Sequence, residues 1–153
     1  MSAVQAVDAS VRSFSITKDR SIAAPIEIVW ESVIEELIGI TGEKGDGMNF
    51  KLELRPGGRW YRDLGNDTGH LWGHVQVVKP PKLLEIAGPM MMSYPVASHV
   101  QYRLTANDDG TTKLAFNHSG VGLIRDRDVT GMTEGWGMIA DRIEKRAVAS
   151  KKS

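Results

Sequence analysis

The chain contains no cysteine, which removes disulfides, thiol nucleophiles and thiolate metal ligands together and makes a reducing compartment, the cytoplasm, the expected location. It has no excess of either charge. Its 19 basic side chains balance 19 acidic ones, so no long-range field favours nucleic acid or an anionic membrane surface as a partner. No apolar run approaches the ~20 residues that span a bilayer, and no basic segment followed by a continuous hydrophobic stretch opens the chain, so stable membrane insertion and export are not expected. The glycines at Gly42 to Gly47 and Gly57-Gly58 lack a phosphate-loop lysine at the right spacing, which argues against nucleotide binding. No cofactor is expected.

What is present suffices for one domain. At 153 residues the chain can bury roughly two-thirds of its unfolded surface without external staples, and no linker or repeat divides it. Residues 1–12 are small and polar and are expected to be a flexible segment, leaving one domain over 13–150. Phe14 to Ile22 alternates as an edge or bulged strand. Ala24-Pro25 then opens a helix in which Ile26, Val29, Trp30, Val33 and Leu37 share one face and Glu27, Glu31 and Glu35 the other. A weak helical turn is expected around Ile38 to Thr41. Met48, Phe50, Leu52 and Leu54 alternate as a half-buried strand, Pro56-Gly57-Gly58 turns the chain, and Arg59 to Asp63 and Gly69 to Val78 continue as antiparallel strands. Lys82 to Ala87 adds a fourth to this run. Val100, Tyr102 and Leu104 pair with Leu114, Phe116 and His118 across the Asn107-Asp108-Asp109-Gly110 turn. From about Thr130 the period becomes helical, with Met132, Trp136, Ile139, Ile143 and Ala147 in a stripe.

The order strand, helix, six strands, helix indicates an α+β fold with a curved seven-stranded antiparallel sheet and one or two short helices after the first strand. Such a sheet curls, and wrapped around the long C-terminal helix it encloses a space. At this point the chain resembles the START-like superfamily, in particular the SRPBCC group with the AHSA-like homologues of the activator of heat-shock-protein ATPase. The carriers are Ile22-Ala23-Ala24-Pro25-Ile26-Glu27-Ile28-Val29-Trp30, Pro56-Gly57-Gly58-Arg59-Trp60, Gly73-His74-Val75 with Pro80-Pro81, His118-Ser119-Gly120 and Gly135-Trp136. The resemblance implies a helix-grip fold whose deep cavity accepts lipids, polyketides or other hydrophobic molecules. It brings no catalytic motif, since relatives include carriers, sensors, cyclases and chaperone cofactors. A chaperone-activating interaction module is the lesser expectation, because the separate N-terminal domain of the eukaryotic activators has no counterpart here.

The expected ligand-binding set is Phe50, Leu52, Trp60, Trp72, Met90, Met92, Tyr102, His118, Met132 and Trp136, with a hydrophobic small molecule as partner and a monomer or homodimer as assembly. The inward phase of the strands carrying Trp60 and Trp72 depends on whether a bulge inverts it. If the protein is an enzyme, a cyclase, hydrolase or isomerase, His118 and Tyr102 are the acid/base candidates. His118 also reads as a core histidine satisfied by a hydrogen bond, Tyr102 as a hydroxyl satisfied by backbone, and the tryptophans as core filling. No metal is expected: His70 and His74, four apart on a strand, stand ~13 Å from each other and cannot share one ion. Met90-Met91-Met92 is expected to form an apolar lid or to pack on the rim. Gly131, Gly135 and Gly137 weaken the last helix by ~1 kcal/mol each relative to alanine, which suits close backbone approach and a helix that shifts to gate an opening. The Arg125-Asp126-Arg127-Asp128 run reads as solvated surface and charges at a helix start.

Overall fold

The computed structural model describes residues 10–41 and 47–151. Seven strands, β1 (Arg12–Ile22), β2 (Phe50–Leu52), β3 (Arg59–Gly65), β4 (Thr68–Lys79), β5 (Leu83–Ala87), β6 (Val96–Ala106) and β7 (Thr112–Gly122), and two helices, α1 (Ile26–Ile38) and α2 (Asp126–Ser150), make up the fold. The strands form one antiparallel sheet in the order β1-β7-β6-β5-β4-β3-β2. The last strand in sequence therefore lies beside the first, and the hairpins between β2 and β7 run out to the opposite edge. The sheet grips α2, whose buried stripe is Met132, Trp136, Ala140, Ile143 and Ala147. No helix among the described residues is long and apolar enough to cross a membrane.

Local chemistry accounts for where the elements start and stop. The β6–β7 turn closes on Gly110 at φ +84°, a conformation that glycine adopts without a Cβ clash, and Asn107 N–H donates to the Thr111 carbonyl. β1 begins at Arg12, just inside the segment expected to be a flexible lead-in, because Arg12 is tied by its guanidinium to Asp126 and the Ile124 carbonyl. The rest of that lead-in, residues 1–9, lies outside the described residues. α2 starts four residues before Thr130, with Asp126 and Asp128 in its first turn, where a carboxylate meets the positive end of the helix dipole. Asp128 also accepts from the Tyr94 hydroxyl at 2.7 Å.

Two local expectations are corrected. The weak helical turn after α1 does not form: α1 ends at Ile38, and Thr41 instead bridges Gly47. Among the described residues one helix thus lies between β1 and β2. Gly42 and Gly45 lie outside the described residues. β2 is confined to Phe50–Leu52, since its partner β3 begins at Arg59 and the ladder runs out where Leu52 faces Trp60. Beyond it the Glu53 carboxylate accepts from the Arg59 backbone and guanidinium, and Leu54 is left exposed.

A bulge sets the inward phase of β4. Trp60 pairs with Gly73 but Tyr61 with Leu71, leaving Trp72 as the extra residue. Val75 and Gly73 face inward on one side of it, His70 and Trp72 on the other, and His74 and Leu71 are exposed. Trp60 and Trp72 consequently reach the same interior, with ring centroids 5.2 Å apart in edge-to-face contact.

α1 lies against α2 through a pairing that apolar periodicity does not register. Glu36 is 2% exposed and its carboxylate meets Arg146 at 2.9 Å and Arg142 at 3.7 Å. A buried charge stripped of its partners is costly, but both arginines here are part-solvated, which moderates the effect. Truncation by Glu36→Ala is expected to lower stability by about 1–3 kcal/mol in urea denaturation, whereas Glu35→Ala, at an exposed carboxylate on the same helix face edge, is expected to change it by less than about 0.5 kcal/mol. Equal, small effects would show that the Glu36 pair contributes nothing net.

Candidate functional site

Where the sheet's β3–β4 edge passes under the first half of α2, the packing leaves a cavity of about 510 Å³. Its floor is Trp72 with Arg62 and His70, its roof is Met132, Trp136 and Ile139 with Gly131 and Gly135 between them, and its sides are Met90 and Met91 facing Ile40, Thr41 and Met48. A second depression of about 620 Å³ lies on the outer face around the β3–β4 turn. It is bounded by Arg59, Tyr61, Asp63, Asp67, His70 and Leu71 with turn backbone, a surface groove of mixed polar and apolar lining.

α2 borders the cavity with two glycines, Gly131 and Gly135, among its larger side chains. A Cβ placed on Gly131 or Gly135 meets no atom within 4 Å, and one on Gly137 only the end of Lys18. The close backbone approach expected at these glycines is absent, and of the three only Gly131 and Gly135 border the cavity. The methionine segment also differs from a detached lid. Met90 and Met92 are buried in the core, Met90 N–H donates to the Trp72 carbonyl at 2.9 Å, and Met91 alone is turned out, at 46% exposure, on the rim.

Four of the ten residues expected to bind ligand meet at this cavity: Trp72, Met90, Met132 and Trp136. The other six are placed in the surrounding packing. Phe50 and Trp60 stack behind Trp72, with Phe50 edge-to-face on it at 4.7 Å, and the Trp60 indole N–H donates to the Leu37 carbonyl at the end of α1 at 3.1 Å. Leu52 packs partly buried against the core and Met92 lies within it. Tyr102 is buried against Phe116, and that burial, followed by the nearby Glu36 carboxylate, raises its phenol pKa beyond any working range.

His118 is fully buried and satisfied on both sides. The Trp136 indole can only donate, and it reaches His118 Nδ1 at 3.0 Å. The ring proton therefore sits on Nε2, which donates to Ser98 Oγ at 3.0 Å, and Ser98 in turn donates to the Gly88 carbonyl. Every member of this relay has its partner, and desolvation, reinforced by His99, holds the His118 pKa down at about 4. The relay anchors Trp136 so that its ring forms one wall of the cavity. Of the acid/base pair expected for an enzyme, neither residue lines the cavity.

Sequence reading missed Arg62, His70, Ile40, Thr41, Met48, Met91, Gly131, Gly135 and Ile139 as wall residues. A signal for the first two was present: Arg62 is two residues beyond Trp60 and His70 two before Trp72, so each shares its tryptophan's strand face. The histidine pair rejected as a chelate is divided by the bulge, His70 at the cavity and His74 exposed outside. Among the described residues no group of three or more His, Cys, Asp or Glu side chains could hold a metal ion.

The family model described as Activator of Hsp90 ATPase homolog 1-like protein matches residues 23–147. No curated protein matches the chain. Among solved structures, protein MLL2253 from Mesorhizobium loti is 23% identical with a TM-score of 0.64, covering 87% of this chain and 96% of its own. An uncharacterized protein from Rhizobium leguminosarum is 18% identical with a TM-score of 0.68, covering 94% and 99%. CalU16 from Micromonospora echinospora is 20% identical with a TM-score of 0.62, covering 94% and 87%. At these identities the likeness is one of fold.

Proposed function

Because the chain belongs to the Activator of Hsp90 ATPase homolog 1-like family, we propose that it uses the cavity between sheet and C-terminal helix to bind a hydrophobic small molecule, of lipid-, polyketide- or aromatic-like type. The observation that carries this reading is the cavity itself. Its volume of about 510 Å³ lies within the roughly 300–1,000 Å³ typical of small-molecule sites, and its wall is the mostly apolar surface with a few polar groups that such sites share. Thioethers at Met90, Met91 and Met132 adapt to irregular apolar shapes. Binding is favoured over turnover because His118 and Tyr102 face the core packing and hold protonation states far from those of working acid/base groups. An interaction module would call for a filled interior, which the cavity speaks against.

Native mass spectrometry of freshly purified protein, followed by titration with the uncharged dye Nile red, tests the reading. A retained apolar molecule, or saturable one-to-one dye binding that quenches the Trp72 and Trp136 fluorescence, is the expected result. No retained molecule and no saturable dye binding would remove the cavity reading.

A further inference from the structure

Two basic side chains interrupt the apolar wall. Arg62 and His70 are direct partners across β3 and β4 and both line the cavity, so their side chains start from Cβ atoms roughly 5 Å apart on one sheet face. Phe50, opposite Arg62 on its other side, and Trp72, whose ring lies 6.2 Å from that of His70, flank them. Among the described residues Arg62 Nε is buried and has no hydrogen-bond partner. Among the described residues Arg62 also takes part in no ion pair. Asp63, next in sequence, holds Lys51 at 2.6 Å and the Gly65 N–H at 2.8 Å, Glu53 holds Arg59 at 2.8 Å, and Asp67 lies at the outer groove around the β3–β4 turn. A cationic group with an unmade buried hydrogen bond is expensive to keep beside an apolar cavity. It is accounted for if an acceptor arrives with the ligand.

We infer that the ligand is amphiphilic, an apolar body carrying a single carboxylate, with the carboxylate at Arg62 and His70 and the body against Trp72, Met90, Met132 and Trp136. This rests on the cavity-binding reading and narrows it. The guanidinium is a planar fork that matches a carboxylate through two parallel hydrogen bonds, and it cannot lose its charge. His70 supplies a further ring N–H donor beside it. The cavity volume suits one single-chain or aromatic acid.

The test compares dodecanoate, dodecanol and dodecylamine, each below its micellar concentration at pH 8, by displacement of Nile red. Dodecanoate is expected to bind at least about tenfold more tightly than dodecanol, the size of effect a charge-assisted hydrogen bond gives, and dodecylamine more weakly than either. In Arg62→Gln the ratio of dodecanoate to dodecanol affinity is expected to collapse to within about twofold. This comparison of head groups in the unaltered protein stands even if the variant folds poorly. Equal affinities for dodecanoate and dodecanol, or an advantage that survives Arg62→Gln, would overturn the inference and leave the cavity reading intact. Dodecyl phosphate binding more tightly than dodecanoate would overturn the carboxylate assignment. Failure of Nile red itself to bind marks failure of the underlying cavity reading.

Discussion

Gly135→Phe is expected to abolish Nile red binding, weakening it at least roughly tenfold through loss of the space the dye needs, while raising the melting temperature. The two effects have one cause. A Cβ on Gly135 meets nothing within 4 Å, and helical side chains lean back toward the preceding turn, which here carries Gly131 and Met132 on the cavity roof. The new ring therefore enters the cavity. Replacing glycine inside a helix recovers a few tenths of a kcal/mol of backbone propensity, and burying an aromatic ring contributes up to about 1.5–3 kcal/mol more. Most substitutions that destroy binding also destabilise, so the combination of tighter folding with lost binding is diagnostic of a filled cavity. Unchanged dye binding would place the ligand elsewhere. A fall in stability would mean that α2 has no free space at this turn. Gly57→Ala, at a turn remote from the cavity and with φ +82°, serves as the contrasting glycine: it should cost stability and leave binding untouched.

The legible part of this protein is the part written in periodicity. Alternation marked four of the strands, and the glycine and proline turns marked the ends of most of the others. The 3.6-residue stripe gave both helices, and the hairpin order gave the sheet. What alternation cannot express is a change of phase. Trp72 enters the interior because a bulge beside it lets Trp72 and Gly73 face inward in succession, and no residue type announces that. The same limit explains the partition of the expected site. Phe50, Tyr102 and His118 do face inward as their phase requires, but inwardness does not distinguish a residue that fills the core from one that borders empty space. That distinction depends on what stands opposite. Opposite Trp72 are the glycines of α2, and opposite His118 is the indole of Trp136. Glu36 was invisible for a related reason: a carboxylate in a helix reads as solvated until two arginines from another helix, more than a hundred residues later, close over it.

Stability is expected to fall between about pH 6.5 and pH 4 through His118. In the folded protein the ring is held neutral down to about pH 4, by desolvation first and then by the neighbouring His99, whereas in the unfolded chain it takes a proton near pH 6.5. Between those values the unfolded state binds the extra proton, so unfolding is favoured as pH drops. The contribution is complete above about pH 6.5, declines through the window, and is lost once pH has passed the folded value near 4; it amounts to roughly 3 kcal/mol. Protonation would also set a second N–H at Nδ1 against the indole N–H of Trp136, two donors facing each other across the present 3.0 Å. The lost bond would release the ring that walls the cavity. Urea denaturation at a series of pH values should show the decline in the unaltered protein and a flatter profile in His118→Gln, which keeps a donor and an acceptor but cannot titrate. His99, paired with Glu85 at 2.8 Å, and all the acidic side chains remain in both proteins, so the difference between the two profiles isolates His118. Parallel profiles would show that the buried ring is protonated without penalty and that the relay does not hold Trp136. With the difference present, Nile red release should follow the same pH window, because the group that titrates and the wall that holds the ligand are joined by a single hydrogen bond.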